Sequence, residues 1–305
     1  MAILVLLPGL DGTGQLFSDF IAALGAYVEV IVVSYPNDIP LDYLELEAIA
    51  RSLLPQDKPF FLLAESFSGP IGISIAASPP PGLLGLILCA SFARNPLPAL
   101  APLRLVLPTL PVAVLPIALL SFFLLGRFST PAHRSSLARS LVLVAPAVLK
   151  TRAREALSVD VSDLLSRITI PVLYLRASED RVVPRASSEL IVLQLPKAKV
   201  VEFPAPHFLL QVLPTPVGSS VVEFMQFSEN GERDQAIAEL LVLVEKIVQE
   251  SGDPKGFNAA AWLNQWLATP CPALNSAIPY EYLKTLSGRK QLAVLLSRMQ
   301  SGAYS

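Results

Sequence analysis

Phe61-Leu-Leu-Ala-Glu-Ser-Phe-Ser-Gly69 is the stretch on which the reading of this chain turns. A short apolar run of strand character enters a small-x-Ser-x-small turn, and an apolar, helix-compatible segment from Ile71 to Ala77 leaves it. A strand-to-helix turn this tight leaves room only for small residues beside the serine, the local geometry of a nucleophile elbow. Ala64 and Ser68 stand two residues either side of Ser66, with Gly69 just beyond, where the usual pattern has glycine at both flanks. The alternative is a serine in an ordinary strand-helix turn.

Working outward, a nucleophilic serine needs a base to take its proton, and the base needs a carboxylate to fix its tautomer. The chain has 2 histidines. His207 lies in Phe203-Pro-Ala-Pro-His-Phe-Leu-Leu-Gln211, directly after the strand-like Ala198-Lys-Val-Val-Glu-Phe203. An acid candidate lies in Leu175-Arg-Ala-Ser-Glu-Asp-Arg-Val-Val-Pro184, again after a strand-like run, Pro171-Val-Leu-Tyr-Leu175. Loops at strand ends are where an open parallel sheet presents its reactive groups. The order Ser66, Asp180, His207 is the one that hydrolases with such an elbow require.

The pattern of elements agrees. Strand-like runs fall at 2–7, 28–34, 59–64, 84–90, 171–176 and 198–203, with helix-compatible stretches between them, among them 15–24, 43–54 and 187–194. Continuous apolar strands alternating with helices predict a parallel sheet covered on both faces. The strand ahead of Ser66 should be central in that sheet.

Residues 1–226 resemble an α/β-hydrolase. The resemblance rests on the elbow Ala64-Glu-Ser-Phe-Ser-Gly69, the acid loop Asp180-Arg-Val-Val-Pro184 and the histidine loop Pro206-His-Phe208. It implies a catalytic triad of Ser66, Asp180 and His207. Asp180 is preferred over its neighbour Glu179 because the family's acid precedes the valine of the Val-Pro pair by three residues. Glu179 stays open as an alternative or as a residue that orients the acid loop. An oxyanion hole follows by the same logic, since tetrahedral intermediates need fixed backbone N–H donors. Phe67, after the nucleophile, supplies one. The loop after the first strand, Leu7-Pro-Gly-Leu-Asp-Gly-Thr-Gly14, resembles the family's His-Gly-x turn with Pro8 in place of histidine, which points to Leu10 with Asp11 as runner-up. A phosphate-cradling reading of this loop fails on spacing and on the missing Lys-Ser/Thr ending.

Composition limits the alternatives. A net charge of -2 gives no nucleic-acid-binding surface. Cys89 and Cys271 lie far apart, without metal or redox spacing, and read as small hydrophobes in a reducing compartment. No cofactor and no metal are expected. The apolar segment from Met1 to Leu7 lacks a basic leader and runs straight into the oxyanion loop, so it reads as a first strand rather than a signal peptide, with a cytoplasmic location expected.

Between residues 94 and 157 the alternation stops, where this fold commonly inserts a cap. From Asn95 to Leu125 the only charge is Arg104, and Pro98, Pro102, Pro108, Pro111 and Pro116 interrupt the run. Thr109 to Leu125 approaches bilayer-spanning length, but its prolines and its tether to a soluble core favour a helical cap with an apolar face toward substrate. Weak membrane association through the cap is the remaining expectation here. An apolar lid desolvates an acyl chain at a gain of about 0.8 kcal/mol per buried methylene. The expected substrate is therefore an apolar acyl ester or thioester. His133, in Thr130-Pro-Ala-His-Arg134, is given no role.

The character changes at Phe227-Ser-Glu-Asn-Gly-Glu-Arg233, read as a polar linker, and residues 234–305 read as a helical unit. Ile237, Leu240, Leu241, Val244, Ile247 and Val248 share one helix face, with Gly252 suited to the C-cap. A last helix over 287–301 places Leu292, Leu295, Leu296 and Met299 inward. The unit resembles the toxin-binding domain of Xre/MbcA/ParS-type antitoxins through Ala261-Trp-Leu263, Trp266-Leu267, Pro272-Ala-Leu274, Pro279, Leu283 and Gly288-Arg-Lys-Gln-Leu-Ala-Val-Leu-Leu296. That resemblance implies a protein partner or self-association through 234–305. Two functions remain: a serine hydrolase or acyltransferase, and a non-catalytic partner-binding protein on a hydrolase scaffold.

Overall fold

In a computed structural model, residues 2–105, 116–250 and 256–300 are described. In chain order the regular elements are β1 (Ile3–Leu7), α1 (Ser18–Leu24), β2 (Glu29–Val32), α2 (Tyr43–Ser52), β3 (Phe60–Glu65), α3 (Gly69–Ala77) and β4 (Leu83–Cys89). Then come α4 (Ile117–Leu124), α5 (Pro131–Val142), α6 (Pro146–Ala156), β5 (Val172–Ala177), α7 (Arg185–Gln194), β6 (Lys199–Phe203) and α8 (Leu209–Val212). The chain finishes with α9 (Pro214–Glu250), α10 (Ala259–Ala268), α11 (Pro279–Tyr282) and α12 (Leu286–Gln300).

The six strands form one sheet in the order β2-β1-β3-β4-β5-β6, every pairing parallel. Because successive strand side chains point to opposite faces, the apolar runs feed two cores at once. Leu62 and Ala64 of β3 face a core that includes Leu46, Ile71, Ile73 and Ile191. Phe61 and Leu63 face the other, with Phe17, Phe20, Val217, Val221 and Phe224. Burying β3 on both sides rigidifies the strand that leads into Ser66. Chain order reverses between β1 and β3, so their carboxyl ends flank the crevice where open parallel sheets bind ligands.

The insertion after β4 is helical, as expected, with three α-helices and 3-10 segments among its described residues. In the described part of the long apolar run, Pro116 is the N-cap of α4 and the helix runs from Ile117 to Leu124. Residues 106–115, and with them the start of that run, lie outside the described residues, as does Gly252.

The segment from Phe227 to Arg233 departs from the linker reading. It lies inside α9, a single helix of 37 residues. An interior glycine such as Gly231 costs a helix about 1 kcal/mol relative to alanine. Burial offsets that on both sides: Phe224 and Met225 pack under the sheet, while Ala236, Leu240 and Val244 pack in a separate core with Leu263, Leu267, Leu292 and Leu296. Met299, expected to face inward, is 41% exposed, because the helix it ends has run past the core.

Candidate active site

β3 ends at Glu65, and Ser66 adopts φ 49, a left-handed conformation that costs a non-glycine residue about 1 to 3 kcal/mol. Neighbouring groups hold it there. The Ser91 hydroxyl donates to the Ser66 carbonyl at 2.5 Å, and the Tyr174 hydroxyl in turn donates to the Ser91 carbonyl at 2.6 Å. A Cβ on Gly69 would come within 1.7 Å of Ser91 Oγ, so glycine is needed here for close approach. Ser68, where the usual pattern has glycine, is fully buried and uses its hydroxyl, which donates to the Pro8 carbonyl and bonds the Tyr35 hydroxyl at 2.9 Å. The elbow and the loop after β1 are thereby tied together.

Ser66 Oγ lies 2.8 Å from His207 Nε2. His207 Nδ1 lies 2.8 Å from Asp180 Oδ2. The other Asp180 oxygen accepts the N–H groups of Val182 and Val183, each at 2.8 Å, which leaves the carboxylate one orientation. His207 and Asp180 are both buried. Burial alone would lower the His207 pKa, but the charge and hydrogen bond of Asp180, with Glu65 nearby, outweigh it and raise the pKa above 6.5. Sequence reasoning placed these three residues at three strand ends, and the fold brings them into one hydrogen-bonded line. Glu179 does not join it and instead pairs with Arg127 at 2.5 Å. His133 stands apart, its Nδ1 3.1 Å from the Phe128 carbonyl.

Leu10 lies half-buried in the loop after β1, and Phe67 is buried directly after Ser66. Asp11 contributes its side chain to this loop. Its carboxylate accepts from the Thr13 N–H at 3.1 Å, the Thr13 hydroxyl at 2.5 Å and the Ser140 hydroxyl of α5 at 2.6 Å.

Two buried charges escaped the sequence reading. Arg152 of α6 is 1% exposed and donates to the carbonyls of Leu10 at 3.0 Å, Asp11 at 2.6 Å and Pro36 at 2.8 Å. A Cβ on Gly12, at φ +70, would meet its guanidinium at 2.3 Å. The cap thus grips the loop that carries Leu10. Nothing in the local sequence marks this, since Arg152 is one of several basic residues on α6. Glu65, next to Ser66, is the other. Burial pushes its carboxyl up to about 7, against the hydrogen bond from Gln211 Nε2 at 3.0 Å, which works the other way. Its place just before Ser66 was the available signal.

Among the described residues, no group of three or more His, Cys, Asp and Glu side chains could hold a metal ion. Cys89 is buried in β4 and Cys271 is half-buried, both as free thiols. No described helix is long and apolar enough to cross a membrane.

A parallel sheet with a serine at the elbow after a central strand and a helical insertion after β4 defines an α/β-hydrolase fold. Residues 4–217 match the alpha/beta hydrolase family, and the chain belongs to it. Residues 256–302 match the antitoxin Xre/MbcA/ParS C-terminal toxin-binding domain. The fold is similar to that of the enol-lactonase from Burkholderia xenovorans LB400, at TM-score 0.65 and 17% identity over 74% of this chain and 92% of that one. An esterase from Exiguobacterium antarcticum is similar at TM-score 0.64 and 14% identity, over 74% and 92%. The C-terminal unit is 38% identical over 78 residues to a Prs ADP-ribosylating antitoxin from Sphingobium sp. strain YBL2, covering 26% of this chain. The chain spans about half the length of that curated relative, 49%.

Proposed function

We propose that the protein is a serine hydrolase of the carboxylesterase or thioesterase kind, acting on an apolar acyl ester or thioester. The observation that carries this reading is the unbroken line from Ser66 Oγ through His207 to Asp180, at 2.8 Å and 2.8 Å, on a serine held at φ 49. Ser66 Oγ bonds to the acyl carbon as its proton passes to His207 Nε2, while Asp180 stabilises the imidazolium. The N–H groups of Leu10 and Phe67 receive the oxyanion. Collapse of the intermediate breaks the bond to the alkoxide or thiolate, which leaves with the proton from Nε2. Water, deprotonated by His207, then releases the acid and restores Ser66. An acyltransferase would use the same groups with another nucleophile in place of that water.

The match of residues 256–302 to a toxin-binding domain favours a second role beside the first. In that reading 234–305 binds a protein partner or a second copy of the chain. An apolar groove of about 270 Å³ bounded by Val244, Ile247, Phe257, Trp262 and Leu296 suits such a contact. We place the protein in the cytoplasm, in keeping with its two free cysteines.

The test is labelling of the full chain with a fluorophosphonate. Wild type is expected to label, and Ser66→Ala and His207→Ala are expected to lose it. A series of ester and thioester chain lengths then defines the acyl group. An unlabelled, folded wild type would overturn the hydrolase reading in favour of partner binding alone.

A further inference from the structure

α4, Ile117-Ala-Leu-Leu-Ser-Phe-Phe-Leu124, carries no charge, yet much of it faces solvent. Ile117, Leu119, Phe122 and Phe123 are 36%, 44%, 55% and 43% exposed. Exposed apolar side chains gathered on one short helix, with Phe122 and Phe123 packed edge to face at 5.3 Å, mark a contact site. At about 1.5 Å per residue the helix is about 12 Å long, far short of a hydrocarbon core about 30 Å thick. It is suited to lying in an interface and not to crossing one.

The charge around it is one-sided. Between residues 94 and 157 the chain has eight Arg and Lys residues and a single carboxylate, Glu155, although the whole chain is net -2. Three guanidinium groups lie around α4, and one of them bonds the helix directly. Arg181 donates to the Phe122 carbonyl at 3.1 Å and lies 4.5 Å from the Phe122 ring centroid. Arg134 donates to Ser129 Oγ at 3.0 Å, and that hydroxyl bonds Ser121 of α4 at 2.7 Å. Arg127 follows the helix and pairs with Glu179. Among the described residues, neither Arg134 nor Arg181 has a carboxylate at ion-pair distance. An apolar helix flanked by two guanidinium groups without a carboxylate partner, Arg134 and Arg181, matches a surface that is apolar below and anionic above.

We propose that α4, with Arg127, Arg134 and Arg181, is a docking face for the surface of an anionic phospholipid bilayer, into which Phe122 and Phe123 insert. The face adjoins the candidate site. The Phe208 N–H donates to the Leu124 carbonyl at 3.0 Å, and Phe208, beside His207, packs with Leu125 and Leu137. Docking therefore brings the interface next to the loop of the base. The proposal goes beyond the hydrolase reading and holds whether or not Ser66 is reactive.

The test is sedimentation of the full chain with phosphatidylcholine vesicles, with and without phosphatidylglycerol. Wild type is expected to pellet with the anionic vesicles only. Going from about 0.1 M to about 1 M NaCl shortens the screening length from about 10 Å to about 3 Å and is expected to release it. Phe122→Ser with Phe123→Ser is expected to weaken binding by about tenfold or more, since each ring forfeits its apolar transfer. Arg134→Gln, an exposed change that leaves the core untouched, is expected to weaken it less and to reduce the salt dependence. Wild type that stays in the supernatant, binds both vesicles equally, or binds unchanged after the double substitution overturns the proposal. So does a wild-type dimer that the double substitution dissolves, which would assign the face to a second copy. Fluorophosphonate labelling of the same samples reports on the hydrolase reading separately.

Discussion

The two ends of α9 belong to one helix but serve different kinds of core. Near its start, Val217, Val221 and Phe224 pack beneath a parallel sheet. Past Gly231, Ala236, Leu240 and Val244 pack in a core built mainly with α10 and α12. The sheet core ends in strand termini, and at those termini polar groups are held at fixed spacing: Ser66 after β3, Asp180 after β5, His207 after β6. The helical core has no such rim. Among its described residues the ion pairs Lys246–Glu250, Lys284–Glu281 and Arg289–Glu232 are exposed or half-buried, so what it presents is contact area. Reactive groups gather where parallel strands stop pairing together, and a helical bundle of this size has no counterpart to that edge.

Four substitutions break or sharpen this contrast, the largest effect first. Arg152→Met removes the guanidinium that holds the carbonyls of Leu10, Asp11 and Pro36. Stranding buried hydrogen-bond partners of a charge is expected to cost about 4 kcal/mol, read from urea unfolding, with slower fluorophosphonate labelling of the folded fraction.

Glu65→Gln is expected to act through pH. The native carboxyl titrates at about 7 against 4.5 when unfolded, so the folded state binds the extra proton between those values. Its contribution is fully present below pH 4.5 and is lost as pH rises through 7. The loss is about 3 kcal/mol, at 1.36 kcal/mol per unit. The glutamine variant should flatten that slope in denaturant melts at stepped pH. An unchanged slope would assign it elsewhere.

Leu240→Ala is expected to destabilise the helical core by about 2 to 3 kcal/mol and to leave labelling of Ser66 at the wild-type rate. Loss of labelling would show that the two cores unfold together. Gly231→Ala is the smallest change. An added Cβ meets nothing within 4 Å, so α9 should gain about 1 kcal/mol without altering either core. In the wild type, kcat/KM for an ester should fall on the acid side through a pKa above 6.5, because His207 accepts the Ser66 proton only when neutral.

Much of the fold was legible because it is written locally. The continuous apolar strand runs and the helical segments between them fall close to their predicted places. At Gly231 a local helix-weakening signal is overruled by packing on both sides, and the segment joining the two cores is helical. Glu65 and Gln211 are 146 residues apart in sequence, and Arg152 is 142 from Leu10. Such contacts leave no period or spacing in the chain.

What the sequence by itself determined is the alternation of strands and helices, the small residues around Ser66, and the order Ser66, Asp180, His207. Sterics and short-range periodicity specify these without reference to the rest of the molecule. Only the tertiary structure decided that Arg152 grips the loop of Leu10, that Glu65 is desolvated beside His207, and that α4 stays exposed among guanidinium groups. Burial and long-range pairing set those outcomes, and both depend on which surfaces the folded chain brings together.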